Sequence, residues 1–491
     1  SLNTWSPDSI QAAKAWILNC DTKHPECKQN GNFRPTRLLE ITSDTRSAKV
    51  IDLGKSHHLS PEGYTVLSHC WGPRGIEQRL TTTNQNEYYR HIACIDLPRN
   101  FQDAITVTID LGFRYIWIDS LCILQDSVDD WRAESVTMGD VFRHAAVTIS
   151  ATASSDSKGG CFRERDSFLH TNCTLMASTT SNLFLDVSPR VRGQCSSLED
   201  LFVEKVDCAP LSLRSWTYQE RVLSRRIIHF CDGIILFECN TVRGSEFHDP
   251  AGEVYDGKEY IRKDGKLYTG EELETLKMNN PEFIYRWYDL VSAYSGRSIT
   301  YRSDKLVALS GLVDLIQANT NLEYVAGLWK TTLALDLLWI SCQPVQQRSK
   351  ERIAPSWSWA SAEGRIKSIL ATRPSRRVAQ VCIELLQVTD SEALPSTGGA
   401  SITLNGPVRC VNLSDIPHTL DYVLHEDSES YVHLAVYWES CSDRLVLDMV
   451  WGLLLRRADD APDGVYERCG LATICPLDRQ SEWETRQLTL I

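Results

Sequence analysis

Three short apolar runs decide the fold: Tyr64-Thr65-Val66-Leu67, which ends in Ser68-His69-Cys70; Tyr115-Ile116-Trp117-Ile118, which ends in Asp119-Ser120; and Ala146-Val147-Thr148-Ile149. None alternates polar with apolar, so each reads as a strand buried on both faces. Between them lie two helical periods. Leu97, Phe101, Ala104, Ile105, Thr108 and Ile109 share one face, after Pro98 and before Gly112, and Trp131, Met138, Val141, Phe142 and Ala145 form the second stripe. Strands joined by amphipathic helices predict right-handed crossovers within an α/β parallel sheet. Ligands of such sheets bind outside the carboxyl ends of the strands. Ser68, His69, Cys70, Asp119 and Ser120 are therefore expected side by side at one sheet edge.

Outward from this core the pattern changes. Residues 154–198 are rich in Ser, Thr and Gly and read as loops and short strands, and 225–230 and 234–239 flank Cys231-Asp232-Gly233 as a hairpin. Residues 1–59 read as an N-terminal extension, 60–240 as the main domain with its α/β core at about 60–160, and 241–280 as a polar insertion. Helical periods return over 281–365 (Trp287, Leu290, Val291, Tyr294; Leu309, Val313, Ile316) and close that unit, and 366–491 reads as an antiparallel β region.

With 42% hydrophobic residues among 491, the chain can bury a real core, which excludes a disordered polymer. Lys plus Arg is 51 against 64 Asp plus Glu, a net charge of -13, which makes nucleic acid a poor partner. Seventeen Cys, mostly inside apolar runs, read as reduced thiols of an intracellular protein. The longest apolar candidate, 327–342, is broken by Lys330 and Asp336, and Ser1-Leu2-Asn3-Thr4-Trp5 has no basic start before an apolar run. Neither a membrane span nor a secretory leader is expected.

The candidate site residues each carry two readings. Glu134, three residues after Trp131 and four before Met138, falls on the apolar stripe, so its carboxylate is paired, solvated in a cleft, or raised in pKa. Its structural role would be an ion pair with an Arg such as Arg99 or Arg143. His69 and Cys70, adjacent at a strand end, point to opposite faces and form no nucleophile-base pair unless the chain turns. They either line a cleft with Asp119 and Cys122 or are simply core. Asp119 and Asp126 follow the second strand, to bind a ligand hydroxyl or to stabilise a turn. Ser68, Trp71, Ser120 and Cys122 complete the ligand-facing set on the first segment. Arg214, Trp216, Gln219 and Glu220 supply either a cleft wall, with Arg214 on an anionic ligand, or a buried network that locks this block onto the domain. Trp357 and Trp359 alternate as on a strand, facing one side as core or as an aromatic shelf. Cys20, His24 and Cys27 have zinc-like spacing but lack a local fourth ligand, so chance clustering is preferred and no zinc is expected.

Six blocks together resemble a known family. They are Leu67-Ser68-His69-Cys70-Trp71-Gly72; Pro98-Arg99-Asn100-Phe101-Gln102-Asp103-Ala104-Ile105; the run from Tyr115 to Asp126; Asp130-Trp131-Arg132-Ala133-Glu134 with Met138; the run from Arg214 to Ser224; and Pro355-Ser356-Trp357-Ser358-Trp359-Ala360-Ser361. In this order they are similar to the fungal heterokaryon incompatibility (HET) domain. The resemblance implies a fungal cytoplasmic protein of a family associated with non-self recognition and regulated cell death. The HET domain is in turn distantly similar to Toll/interleukin-receptor (TIR) domains, which have a flavodoxin-like parallel sheet and some of which hydrolyse NAD with a helix-borne glutamate. Glu134 is the matching position. There it would bind the ribose hydroxyls and stabilise an oxocarbenium-like transition state. The expected partner is thus a small-molecule ligand or a nucleotide, NAD as candidate substrate. A metabolite-biosynthetic enzyme using the same cleft and a non-catalytic module that signals by self-association are the alternatives.

Overall fold

The computed structural model describes residues 3–28, 31, 33–42, 47–54, 63–165, 173–176, 184–187, 197–246, 281–343, 352–369, 378–389, 400–422, 431–440, 449–459, 461–474 and 483–491. The chain divides into two units, Ser1–Thr269 and Gly270–Ile491.

The strands of the first unit are β1 (Arg37–Ile41), β2 (Ser47–Asp52), β3 (Thr65–Ser68), β4 (Ile92–Ala93), β5 (Tyr115–Trp117), β6 (Val147–Ser150), β7 (Cys173–Met176), β8 (Phe184–Val187), β9 (Arg226–Phe230), β10 (Ile235–Cys239) and β11 (Arg243–Ser245). Apart from the β7-β8 ribbon they form one sheet in the order β11-β10-β9-β6-β3-β5-β1-β2-β4. At its centre β3 runs parallel to β5 (Val66 opposite Trp117) and to β6 (Ser68 opposite Ser150), and β6 runs parallel to β9 (Ser150 opposite His229). Val66, Leu67, Ile116, Val147 and Ile149 are buried, as runs without alternation require. Counted from β3, these four strands lie in the order 2-1-3-4, which is flavodoxin-like.

The expectation of a parallel sheet holds for this centre and is corrected at both flanks. β1 pairs antiparallel with β5 and with β2, and β10 pairs antiparallel with β9 and β11. For β1-β2, β9-β10 and β10-β11 the cause is connection length, since only a few residues join each pair and permit only antiparallel pairing, and β1 then meets β5 antiparallel across a long stretch of chain. In the β9-β10 turn, Gly233 takes φ +76°, a conformation favoured by glycine. Because β1 and β2 come from the first 59 residues, that stretch is built into the sheet.

Two helices cover the crossovers. Arg99–Asp110 buries Phe101, Ala104, Ile105 and Val107. Val128–His144 starts at Ser127, whose hydroxyl accepts from the Asp130 N–H, and buries Met138, Val141 and Phe142. Helix Pro7–Lys23, capped by Ser6, lays Trp16 against Phe237 of β10 with ring centroids 5.4 Å apart.

In the second unit, helices Pro281–Ser295 and Ser310–Thr320 precede and accompany the small pairs β12 (Tyr324–Val325) with β13 (Leu328–Trp329) and β14 (Trp339–Ser341) with β15 (Ile366–Ser368). The remaining strands are β16 (Val378–Val381), β17 (Glu384–Thr389), β18 (Ser401–Val411), β19 (His418–Leu420), β20 (Tyr431–Ser440), β21 (Met449–Arg457), β22 (Val465–Ile474) and β23 (Glu484–Leu490). β18 pairs with both β23 and β20, so β18, β20, β21, β22 and β23 close into a ring. All its pairings are antiparallel except the short β22-β23 contact.

Two sequence expectations change here. Trp357 and Trp359 do not stand on a strand: Ser358 caps a 3-10 turn, Trp359–Ser361, and both indoles are wholly buried as core, leaving no shelf. The insertion expected at 241–280 falls, from 247 onward, outside the described residues.

Candidate functional site

Ser68 is the last residue of β3, and the chain turns away there with its carboxyl-end neighbours β5 and β6 on either side. Connections leave β3 and β6 in opposite directions, to β5 and to β9, which makes their carboxyl ends the topological switch point of the sheet. The expected juxtaposition is present: Ser68 ends β3 and His69 and Cys70 follow it, and Asp119 and Ser120 follow its parallel neighbour β5.

Into this edge comes the short helix Trp216–Leu223. Its Glu220 accepts a 2.5 Å hydrogen bond from the Ser68 hydroxyl, across 152 positions of sequence. Burial, reinforced by the charge of Asp119, pushes the Glu220 carboxyl up to about 7, against the opposing pull of Ser68 and Arg214. Arg214 donates to the His69 carbonyl at 3.2 Å and also reaches the Cys70 thiol. Asp119 is held by the Trp71 indole N–H at 2.8 Å and by the Ser120 N–H at 2.6 Å. It keeps 29% of its side chain exposed, so it is a carboxylate that a ligand can reach.

His69 and Cys70 have separate partners rather than each other. His69 packs edge-on against Phe101, with centroids 5.0 Å apart, and its Nε2 lies 3.8 Å from Asp119. Burial lowers its pKa, so the imidazole is neutral at physiological pH. Burial pushes the Cys70 thiol up as well, so it is a thiol rather than a nucleophilic thiolate. The hydroxyl of Ser120 is buried with no hydrogen-bond partner among the described residues.

The other candidates stand elsewhere. Glu134 is buried 3.7 Å from the Arg37 guanidinium and hydrogen-bonds Thr36, and burial raises its pKa. Arg37 also donates to both oxygens of Asp130, at 2.5 and 3.0 Å, and to the Cys122 carbonyl at 3.0 Å. The partner is therefore neither Arg99 nor Arg143. Arg99 bonds Asp103 instead. Asp126 is exposed and takes three hydrogen bonds from Thr82, which hold a turn and lower its pKa. Cys122 is wholly buried, its thiol pushed up to about 12 by that burial. Gln219 is buried, while Trp216, half-buried, meets Trp131 edge-on at 6.4 Å. Sequence reasoning passed over Arg37; the signal was a cation at the start of the apolar run Leu38-Leu39.

What the site offers is two carboxyl groups, one raised to about 7 and one partly exposed, beside the Arg214 guanidinium, at the carboxyl edge of the parallel strands. Residues 64–220 match the Heterokaryon incompatibility protein (HET) family. The HET match runs from the residue before β3 to Glu220, so it spans every group of the cluster and points to a function of the heterokaryon incompatibility type. No curated protein and no solved structure matches the chain. No helix among the described residues is long and apolar enough to cross a membrane.

Proposed function

We propose that the HET region binds NAD or a related nucleotide at the switch point beyond β3 and β6 and cleaves its N-glycosidic bond, as the effector step of a non-self response. The observation that carries this reading is the Ser68–Glu220 hydrogen bond, which fixes a second carboxyl group beside the reachable Asp119. In the reaction, the bond from the ribose C1′ to the nicotinamide nitrogen breaks and its electron pair leaves with nicotinamide. The carbon gains oxocarbenium character, which the Asp119 carboxylate stabilises. Water then adds to that carbon and gives up a proton, for which ionised Glu220 is a base of suitable strength. Arg214 offers its charge to the pyrophosphate. Glu134, the position singled out by the TIR resemblance, serves in this reading to pair with Arg37 at the start of β1.

The test is nicotinamide release by the purified chain. Asp119→Asn and Glu220→Gln are each expected to lose about a hundred- to a thousand-fold in rate, with the fold intact by circular dichroism, while Glu134→Gln stays close to wild type. A folded wild-type chain that neither binds nor cleaves millimolar NAD overturns the proposal. Cleavage abolished by Glu134→Gln alone returns the catalytic role to the helix.

A further inference from the structure

We infer that Cys20, His24, Cys27 and Cys239 form a structural zinc site at the sheet edge opposite the candidate cleft. The local spacing supplies only three ligands, which is why no zinc was expected from sequence. The fourth arrives through the fold: Cys239 ends β10, and its Sγ lies 3.5 Å from His24 Nδ1, across 215 positions of sequence. One ligand atom from each of the four residues lies within 4.8 Å of all the others. A tetrahedral zinc with bonds of about 2.3 Å to sulfur and about 2.0 Å to nitrogen has ligand–ligand edges of about 3.5 to 3.8 Å. Rotamer adjustments of about 1 Å therefore close the site around an ion.

The surroundings are those of a thiolate-metal centre. His24 caps the helix Pro7–Lys23 and starts the 3-10 turn Pro25–Cys27, so three ligands sit on one tight corner. The N–H groups of Thr241 and Val242 both point at Cys239 Sγ, at 3.4 and 3.3 Å, and the Thr241 hydroxyl lies 3.7 Å from Cys27 Sγ. Arg226 donates its Nε to Cys20 Sγ at 3.0 Å. Three thiolates and a neutral imidazole on Zn(II) carry one net negative charge, which that guanidinium offsets, and the N–H donors fix the sulfur orientations. Soft sulfur with imidazole selects zinc over magnesium or calcium. Four protein ligands leave no open position, so the ion is structural. It would staple the helix Pro7–Lys23 to the β10-β11 end of the sheet, where Arg225 and Arg226 also donate to the Cys27 carbonyl. The register that sets Arg226 opposite Cys239 places this corner at the start of β9, whereas the cleft lies beyond the ends of β3 and β6.

Elemental analysis of the full chain, purified under reducing conditions from zinc-containing medium, is expected to find about one zinc per molecule. Cys239→Ser and Cys27→Ser should lose it, and Cys161→Ser, a buried thiol outside the cluster, should keep it. Because the first two variants can fail to fold, X-ray absorption on the wild type provides the second reading, with three sulfurs and one nitrogen around the metal. Chelation should lower Tm, and added zinc should restore it. A folded, reduced wild type that takes up no zinc, a metal with a different ligand set, or a native disulfide among Cys20, Cys27 and Cys239 overturns the assignment.

Discussion

Glu220 in the first unit and Asp336 in the second are both carboxyl groups that burial pushes up to about 7, yet their surroundings differ in kind. Asp336 is fully buried and saturated. It accepts from the Trp329 N–H at 2.7 Å, the Tyr288 hydroxyl at 2.9 Å and the Thr332 hydroxyl at 3.0 Å, which tie β13, helix Pro281–Ser295 and the turn after β13 to one point. Glu220 accepts from Ser68, sits half-buried at a sheet edge, and faces a second carboxylate and a guanidinium. A raised pKa alone therefore does not mark a site. A carboxyl whose acceptors are filled from three elements is framework, whereas one left beside another carboxylate at an open strand end is equipped for chemistry.

That contrast can be broken by measurement. Asp336→Ala strands three buried donors, each worth about 1 to 3 kcal/mol when unpaired, so the second unit should lose about 4 kcal/mol in urea unfolding. A loss under about 1 kcal/mol would remove Asp336 as an anchor.

The next largest effect is a pH dependence. The unfolded Glu220 carboxyl titrates near 4.3 and the folded one at about 7. Below the lower value both states hold the proton, and the stabilisation is fully present. As pH rises through this window the unfolded chain ionises first, so stability falls until the folded carboxyl has also ionised. Between pH 4 and 8 the wild type should lose about 3 kcal/mol more than Glu220→Gln. Using the difference between the two proteins removes the contribution of Asp336, which has the same sign. Parallel curves would show that Glu220 is not held as described.

The smallest effect is expected at Glu134. Arg37 retains Asp130 when Glu134→Gln removes one charge, so unfolding should cost only about 1 kcal/mol. Asp130→Asn should cost more, because it breaks the two-pronged contact. The reverse order would make Glu134 the principal partner of Arg37.

The adjacency of Ser68-His69-Cys70 and Asp119-Ser120 was legible because apolar runs with polar ends and an amphipathic helix between them admit one dominant arrangement. Glu220 was legible as a polar residue in need of a partner, but not that the partner was Ser68, since helix Trp216–Leu223 is brought back by strands paired much later in sequence. Arg37 bonds Asp130 from 93 positions away, and Cys239 reaches His24 from 215, distances at which local spacing carries no information. Trp357 and Trp359 misled for the opposite reason. Over so few residues an alternating pattern cannot be told from a capped turn, and the deciding group was the Ser358 hydroxyl.

The helix Pro7–Lys23 has a consequence for how the chain is made. Its buried face, Ala13, Trp16 and Cys20, is covered by strands of the β9-β10 hairpin, and Arg225 contacts Cys27 from 198 positions downstream. At a synthesis rate of about 5 to 20 residues per second, that separation is a wait of roughly 10 to 40 s. Through this interval the helix has an apolar stripe, and it and the turn after it carry two thiols, Cys20 and Cys27, with no sheet to receive them. The nascent chain is then a natural chaperone client. Its release should come only after the segment ending near Cys239 has cleared the ribosomal exit tunnel, a timing that arrested chains of graded length would show directly.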